Sequence, residues 1–395
     1  MIVFDKKLLE NTFLVNEAES MVDSGFLDYN EFKKKTAIIP TLKSQDNLLI
    51  RIALFLLGCL AYASLCGLVS LLGLSGIDSN WYLFLLVYAL IGFVTQEFLF
   101  AKNSKLYGYG LDDAFILGSF IAIGAFVSQA TMGSDYSSND TLVALVIFVV
   151  SSLAYLRYLH IPSIIIACLS LTFTLFYSVY TYLEYGQQIL PFVLFITGIL
   201  LFYFSNKVLT KLKEPYYENG LLITKYFGLL LSYFAMNYFV VRELSASLNE
   251  GYFEVSPQIP MSWLFYIFTI AIPVIYLYFS IKNRDRILLY VGLICLGFTV
   301  FTIRFYNHFL PTEWALLIGG ILLFAIAYFA IQKLKNKESG ITFIKDKFSS
   351  TNALLNLELL ATATTLGMKP EIKAPDSPME FGGGGFSGGG AGESF

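Results

Sequence analysis

The amino-acid sequence predicts an all-α fold, a polytopic helix bundle that lies in a membrane. Hydrophobic residues make up 56% of the 395-residue chain and charged residues 14%, against about 25% charged residues in soluble domains. One aqueous core could not bury so much apolar surface, whereas a bilayer can solvate it. The lengths of the apolar runs and the distribution of basic residues lead to the same prediction.

Ten apolar runs reach the length of about 20 residues that a membrane-spanning helix needs. The runs cover residues 49–72, 81–100, 112–132, 141–160, 162–183, 190–209, 221–241, 261–281, 286–306 and 313–334. Between the fourth and fifth runs the apolar character barely falls, but Pro162 fits the first turn of a new helix and marks the boundary. We therefore expect about ten transmembrane helices within residues 48–334.

The segments on either side of these runs complete the predicted domain organisation. Residues 1–47 contain apolar side chains at helical spacing between Leu8 and Val22 and are predicted to form a helical head. Residues 335–369 are predicted to contain one further cytoplasmic helix. Residues 370–395 are rich in glycine and are predicted to form a disordered tail.

The basic residues predict the orientation of the bundle. All of the 26 Lys and Arg residues except Arg242 and Arg304 lie in the termini, in alternate connections, or within a turn of that same face. The positive-inside bias assigns this face to the cytoplasm, so both termini are predicted to be cytoplasmic. The three tryptophans agree, because Trp81, Trp263 and Trp314 each lie at the predicted outer start of an even-numbered run.

Two intramembrane charges are candidate functional residues. Glu97 and Lys225 each lie about one helical turn, roughly 5 Å, inside the predicted cytoplasmic end of a run. An ionised group in hydrocarbon is costly unless it is paired, protonated or in contact with water. Two interpretations are open: Glu97 reaches the interface or pairs with Lys102 or Lys105, or it pairs with Lys225 inside the bundle.

Two further carboxylates, Asp112 and Asp113, stand at the start of the third run in the stretch KLYGYGLDDAF. Short acidic side chains at a helix start accept free backbone N–H groups and interact favourably with the helix dipole. We therefore expect these two residues to cap the helix rather than to carry out chemistry.

The predicted outer face carries basic groups that oppose the orientation signal. Arg242 and Glu243 end the seventh run, and Arg304, His308 and Glu313 surround the turn between the ninth and tenth runs. Because an arginine fork binds carboxylate or phosphate, Arg242, Arg304 and His308 are candidates for an anion-binding site. The alternative is a local Arg–Glu ion pair at each helix end.

Two features predict details of helix packing. Pro273, in the middle of the eighth run, removes the N–H that would bond the carbonyl of Thr269, so we expect a kink there. Cys59, Ala63 and Gly67 form a stripe of small residues on the first run, which is expected to allow close approach of another helix.

The sequence contains no recognisable motif for a metal, a nucleotide or covalent catalysis. Its four cysteines lie inside apolar runs without metal-ligand spacing, and it has only two histidines. Gly383, Gly385 and Gly388 match GxGxxG, but no strand precedes them and no helix follows. We therefore expect no cofactor, no metal and no nucleic-acid partner, and we disfavour an enzyme without excluding one.

Two stretches resemble bacterial membrane proteins. LVNEAESMVDSGFLDYNEFKK, followed directly by a helix bundle, resembles the short helical head of certain uncharacterised bacterial multi-pass membrane proteins. FGGGGFSGGGAGESF is similar to the glycine-rich tails of TPM-domain membrane proteins. The chain lacks a TPM domain, so that family's phosphatase-like chemistry does not carry over. The resemblances imply a bacterial inner-membrane protein and assign no functional residue.

Three functions fit these observations. A carrier for a small solute is narrowly favoured by the number of predicted helices and by the intramembrane charges. The first alternative is a non-catalytic accessory or scaffold subunit that binds a membrane or cytoplasmic protein through residues 1–47 or 335–395. The second is an enzyme that acts on a lipid-linked substrate through the basic groups of the outer face.

Overall fold

The computed structural model describes residues 2–23, 26–45, 47–73, 81–132, 139–212, 214–248, 256–283 and 285–306, together with single positions between 317 and 332. The chain divides into two units. One comprises Met1–Leu14 and Ile39–Ile344, and the other comprises Val15–Ile38 and Lys345–Phe395. In its described part, the second unit contains the end of α1 (Lys6–Asp23) and all of α2 (Tyr29–Thr36). Apart from one control substitution on α2, everything below concerns the first unit.

Eight helical segments in the described ranges are long and apolar enough to cross a membrane. They are α3 (Leu48–Gly73), α4 (Leu83–Val94) with its π-helical continuation Thr95–Ser104, α5 (Leu111–Ala130), α6 (Asp140–Tyr158), α7 (Ile161–Tyr182), α8 (Gly186–Leu209), α11 (Ser262–Asn283) and α12 (Arg286–Tyr306). The predicted all-α polytopic bundle is confirmed, and most of its tenth run lies outside the described residues.

The seventh apolar run does not form one helix. It divides into α9 (Glu218–Met236) and α10 (Tyr238–Leu248), which are separated by Asn237. We call the end of the bundle at which α3 begins the near end and the opposite end the far end. Because successive spans alternate in direction, α5, α7, α9 and α12 also begin at the near end.

Glycines set the closest helix contacts. A Cβ atom at Gly198 of α8 would lie 2.5 Å from the carbonyl oxygen of Gly228 of α9, and a Cβ at Gly228 would lie 2.6 Å from that of Gly198. The two backbones therefore touch, as in other membrane bundles in which small residues permit close crossing. On α3 the contact is made by Gly58, against Ala114 of α5.

The small-residue stripe predicted on α3 does not make this contact. Cys59 is exposed, and a Cβ atom at Gly67 would meet nothing within 4 Å in the described structure. The packing face of α3 runs instead through Gly58 and Tyr62, whose ring lies against Phe115 and Gly118 of α5. The stripe is therefore not the face that packs on α5, because one helix has several small-residue faces and spacing alone does not select among them.

The N-terminal segment folds against the near end of the bundle. The N–H of Val3 donates to the carbonyl of Arg157 at 3.1 Å, and Phe4 packs edge-on against Tyr107. Residues Lys43 and Leu106 form a short parallel β-bridge. These contacts cover the connection between the π-helical segment and α5, so the polar groups beneath it are shielded from water.

Candidate functional site

The break between α9 and α10 is the main irregularity of the bundle. Asn237 adopts an extended backbone conformation with φ −74° and ψ 127°, and its side chain is 0% exposed. Its Oδ1 accepts the N–H groups of Phe239 and Val240 at 3.0 and 3.3 Å. Asn237 thus caps the start of α10, which is how a short amide side chain competes with a continuing helix.

The cap changes the bonding of the backbone at the end of α9. In a continuous helix the N–H groups of Phe239 and Val240 would bond the carbonyls of Ala235 and Met236, but they bond Asn237 instead. The N–H of Tyr238 likewise turns to Thr269 Oγ1 of α11 at 2.9 Å. The carbonyl groups of Ala235 and Met236 are therefore released from their helical donors, and both residues are buried.

A chain of buried hydroxyl groups surrounds the break. Asn237 Nδ2 donates to the Tyr233 hydroxyl at 2.9 Å, and that hydroxyl lies 2.9 Å from Thr299 Oγ1 of α12. Thr302 Oγ1 donates to Asn237 Oδ1 at 3.2 Å. Tyr233, Thr299 and Thr302 are at most 4% exposed. Polar groups in hydrocarbon need hydrogen-bond partners. The buried hydroxyl and amide groups around the break meet this need by bonding one another across α9, α11 and α12.

Pro273 contributes to the same network. It lies inside α11 and leaves the carbonyl of Thr269 without its helical donor. Thr299 Oγ1 donates to that carbonyl at 2.8 Å. The predicted release of the Thr269 carbonyl therefore has a visible consequence, which is a bond between α12 and α11.

Arg242 lies one turn beyond the break, toward the far end. Its Nη1 donates to the Tyr238 hydroxyl at 2.9 Å, and Nε donates to the carbonyl of Ser256 at 3.0 Å. The guanidinium lies 4.3 Å from the ring centre of Tyr306, and the residue is only 8% exposed. Its described partners are thus neutral oxygens and an aromatic face.

The carboxylate next to Arg242 contacts two of the same residues but does not bond the guanidinium. Glu243 Oε1 accepts the hydroxyl groups of Ser256 and Tyr306. No carboxylate in the described ranges forms an ion pair with Arg242, so the local Arg–Glu pair proposed at this helix end is not formed. Arg304, in the last turn of α12, forms no described bond with Arg242 or Glu243. His308 lies outside the described residues.

The proposed pair between Glu97 and Lys225 is wrong. Glu97 Oε2 instead accepts a hydrogen bond of 2.8 Å from Arg157 Nε, and Glu97 Oε1 lies 3.2 Å from Lys102 Nζ. The alternative interpretation, pairing with a lysine at the near end, is confirmed. The sequence did not indicate the second partner, Arg157, because only the fold shows that the end of α6 lies beside the π-helical segment.

Lys225 pairs with a residue that the sequence did not single out. Its Nζ lies 3.2 Å from Asp285, which also accepts the Tyr226 hydroxyl at 2.9 Å and the N–H of Leu288 at 3.1 Å. Burial raises the pKa of Asp285, but the N–H of Leu288, the Tyr226 hydroxyl and the Lys225 charge together hold it below its ordinary value.

A second buried cluster lies at the near end. Arg51 of α3 forms two hydrogen bonds to Asp113 Oδ2, at 2.6 and 3.0 Å. His160 Nε2, at the junction of α6 and α7, lies 3.0 Å from Asp113 Oδ1 without the alignment of a standard hydrogen bond. Asp113 was expected to be a helix cap and instead joins three elements, so this expectation was wrong.

Asp112 supports the loop in front of α5. Its carboxylate accepts the N–H groups of Gly108, Tyr109 and Gly110 at 2.8 to 2.9 Å. Gly110 has φ 105°, and a Cβ there would lie 2.5 Å from the carbonyl of Arg51, so only glycine fits. Asp112 is therefore the predicted helix-start carboxylate, although it bonds the preceding loop rather than the helix itself.

Three buried side-chain atoms in the described ranges have no hydrogen-bond partner: Gln96 Oε1, Asp113 Oδ1 and His160 Nε2. All three lie at the near end, and Gln96 belongs to the π-helical segment. π-Helical turns often mark functional positions. The described residues contain no group of three or more His, Cys, Asp or Glu side chains that could hold a metal ion.

Comparison of the chain with protein-family models, with curated proteins and with solved structures finds no match.

Proposed function

We propose that the protein is a carrier for a small anionic solute, with its binding site at the α9–α10 break. The observation that carries this proposal is the break itself. Discontinuous helices with released backbone groups recur at the substrate sites of secondary transporters. A scaffold needs no such interruption, because a continuous helix satisfies its own backbone.

Arg242 is the reason for proposing an anion. A guanidinium that is 8% exposed and bonded to neutral oxygens retains its full charge. Burying such a charge is costly unless an anion joins it. A small carboxylate or phosphate would supply that anion and would accept the arginine fork in a bidentate manner.

The position of the site agrees with access from the far end. Thr269 lies seven residues, about 10 Å, inside the start of α11. Arg242 lies one further turn toward the same end, beside Tyr306 at the end of α12. Under the orientation predicted from the basic residues, a solute would therefore reach Arg242 from outside the cell.

Thermal unfolding of the purified protein with small anions tests the proposal. Lactate, succinate and inorganic phosphate are added to the wild type, with lactamide as the uncharged counterpart of lactate. We expect at least one anion, and not the amide, to raise the unfolding temperature, since a ligand stabilises the state that it binds. The same anion should exchange across proteoliposomes that contain the protein.

Two variants locate the site. Arg242→Gln should abolish the stabilisation and the exchange, whereas Arg242→Lys should retain part of the binding because the charge persists. Arg304→Gln is the matched control, since it removes the same charge at the same end without touching the buried network. The proposal fails if none of the anions stabilises or exchanges, or if Arg304→Gln and Arg242→Gln behave alike.

A further inference from the structure

We propose that the near-end cluster of Arg51, Asp112, Asp113 and His160 binds one proton, which is the ion that couples to solute movement. The coupling rests on the proposed function. The proton site itself does not, because it follows from the charges and contacts of the four side chains.

The charge of the cluster is the first argument. Arg51 bonds Asp113 Oδ2, and Asp112 accepts three backbone N–H groups on its two oxygens, an arrangement that favours the ionised carboxylate over the protonated acid. One guanidinium and two carboxylates sum to one negative charge. Asp112, Asp113 and His160 are at most 6% exposed, so an uncompensated charge there is strongly disfavoured. A proton on His160 brings the sum to zero.

The imidazole contacts suit both states of this proton. Nε2 faces Asp113 Oδ1 at 3.0 Å, and Nδ1 lies 2.7 Å from Ser163 Oγ. With neutral His160, the Ser163 hydroxyl donates to Nδ1 and Nε2–H faces the carboxylate. With protonated His160, Nδ1–H donates to Ser163 Oγ instead. Because a hydroxyl both donates and accepts, Nδ1 keeps its hydrogen bond to Ser163 when the proton is lost.

The other ionisable groups nearby do not supply the missing charge. Lys102 and Arg157 both pair with Glu97, and these two basic side chains are about half exposed, where water screens them. Tyr107, in the loop before α5, stays neutral because burial and the two aspartates raise its pKa to about 12. Among the described residues of α7, only Ser163 bonds the cluster, and its side chain is uncharged.

The position of His160 connects the proton to the packing of helices. Leu159, in the left-handed region with φ 53°, ends α6, and His160 precedes α7. Asp113 therefore ties α5 to α3 through Arg51 and to the α6–α7 junction through His160. Loss of the proton removes the charge that holds the junction to Asp113 and leaves the Arg51 contact in place. The contact is therefore charge-assisted in one state and neutral in the other, and such a difference is what an alternating carrier requires.

Nitrogen NMR of the full chain tests the proton site directly. The sequence has two histidines, so a His308→Gln background with ring-¹⁵N-labelled histidine reports His160 alone. We expect His160 to give the imidazolium signal at neutral pH. Adding Asp113→Asn should replace it with the signal of neutral imidazole. Glu97→Gln, a matched carboxylate-to-amide control, should leave the imidazolium signal unchanged. A neutral imidazole in the parent spectrum overturns the proposal even if Asp113→Asn fails to fold. An imidazolium that persists in folded Asp113→Asn also overturns it.

A separate measurement tests the coupling. Proteoliposomes with a trapped pH-sensitive dye receive lactate, succinate or phosphate, with protein-free liposomes as the control. The wild type should acidify the interior as the anion enters, and His160→Gln should lose this acidification while keeping the anion-induced thermal stabilisation. Anion entry without acidification overturns the coupling and leaves the proton site standing. If no anion enters, the proposed function fails while the NMR result remains.

Discussion

Thr299 donates its hydroxyl hydrogen to the carbonyl oxygen of Thr269 at 2.8 Å, the carbonyl that Pro273 leaves without its helical donor. The bond joins α12 to α11 inside the bundle, where both threonines are at most 4% exposed. The Tyr233 hydroxyl, 2.9 Å from the same Thr299 oxygen, links this pair to Asn237 and the helix break. The proline and the break thus belong to one network.

A double-mutant cycle measures this bond. Thr299→Val should lower the free energy of unfolding by about 1 kcal/mol, since it leaves the carbonyl of Thr269 without this donor and the hydrogen of the Tyr233 hydroxyl without its acceptor. Thr299→Ser, which keeps the hydroxyl, is the control. In a Pro273→Ala background the cost should be smaller, because the introduced alanine supplies a backbone N–H to the carbonyl of Thr269. Equal costs in both backgrounds, measured by reversible unfolding in detergent micelles, would contradict the assignment.

The sequence predicted the fold because a hydrocarbon solvent leaves few alternatives. Long apolar runs must form helices there to satisfy their backbones, and proline marked the boundary between α6 and α7 correctly. The break at Asn237 could not be predicted from the length of an apolar run or from a proline. The residue sits in an apolar run of helical length, and the extended conformation is held by α11 and α12, which are distant in sequence.

The sequence also revealed which charged residues are unusual but not which residues they pair with. Glu97 and Lys225 were recognised as unusual because a charge in an apolar run is costly, whereas their partners depended on the arrangement of helices. Asp285 was overlooked because it lies in a short polar connection, where an aspartate needs no explanation. His160 was overlooked for a different reason, because it stands at the end of the fourth apolar run, and only the fold shows that it is buried beside Asp113 of α5.

Charge exchange tests the observed pairing of Lys225. Lys225→Glu should destabilise the protein, and adding Asp285→Lys should recover part of the loss by restoring an opposite pair. Recovery will be incomplete because Asp285 also accepts the N–H of Leu288 at the start of α12, a cap worth about 1 kcal/mol. Adding Glu97→Lys to Lys225→Glu should give no recovery. Equal recovery in both double variants, measured as unfolding free energy, would contradict the pairing.

Alanine substitutions test the contact between α8 and α9. Gly198→Ala and Gly228→Ala should each lower stability by about 2 kcal/mol, since the new methyl group would press on backbone of the facing helix. Gly67→Ala and Gly297→Ala are matched controls, because a Cβ at either position meets no atom of the described residues within 4 Å. These should be neutral or slightly stabilising through helix propensity. A loss in the controls as large as that at Gly198 would refute close crossing as the cause.

Acid unfolding tests the environment of Asp285. Its pKa in the folded protein lies below the ordinary value of 3.8, so folding favours the ionised form. The stabilisation is therefore complete above that ordinary value and is lost as the pH falls through the lower, folded value. Asp285→Asn removes this ionisation, so its unfolding free energy should fall less steeply than that of the wild type in the acid range. Glu31→Gln, on the exposed helix α2, should leave the acid dependence unchanged. Parallel pH profiles for the wild type and Asp285→Asn would show that Lys225, Tyr226 and Leu288 do not stabilise the carboxylate.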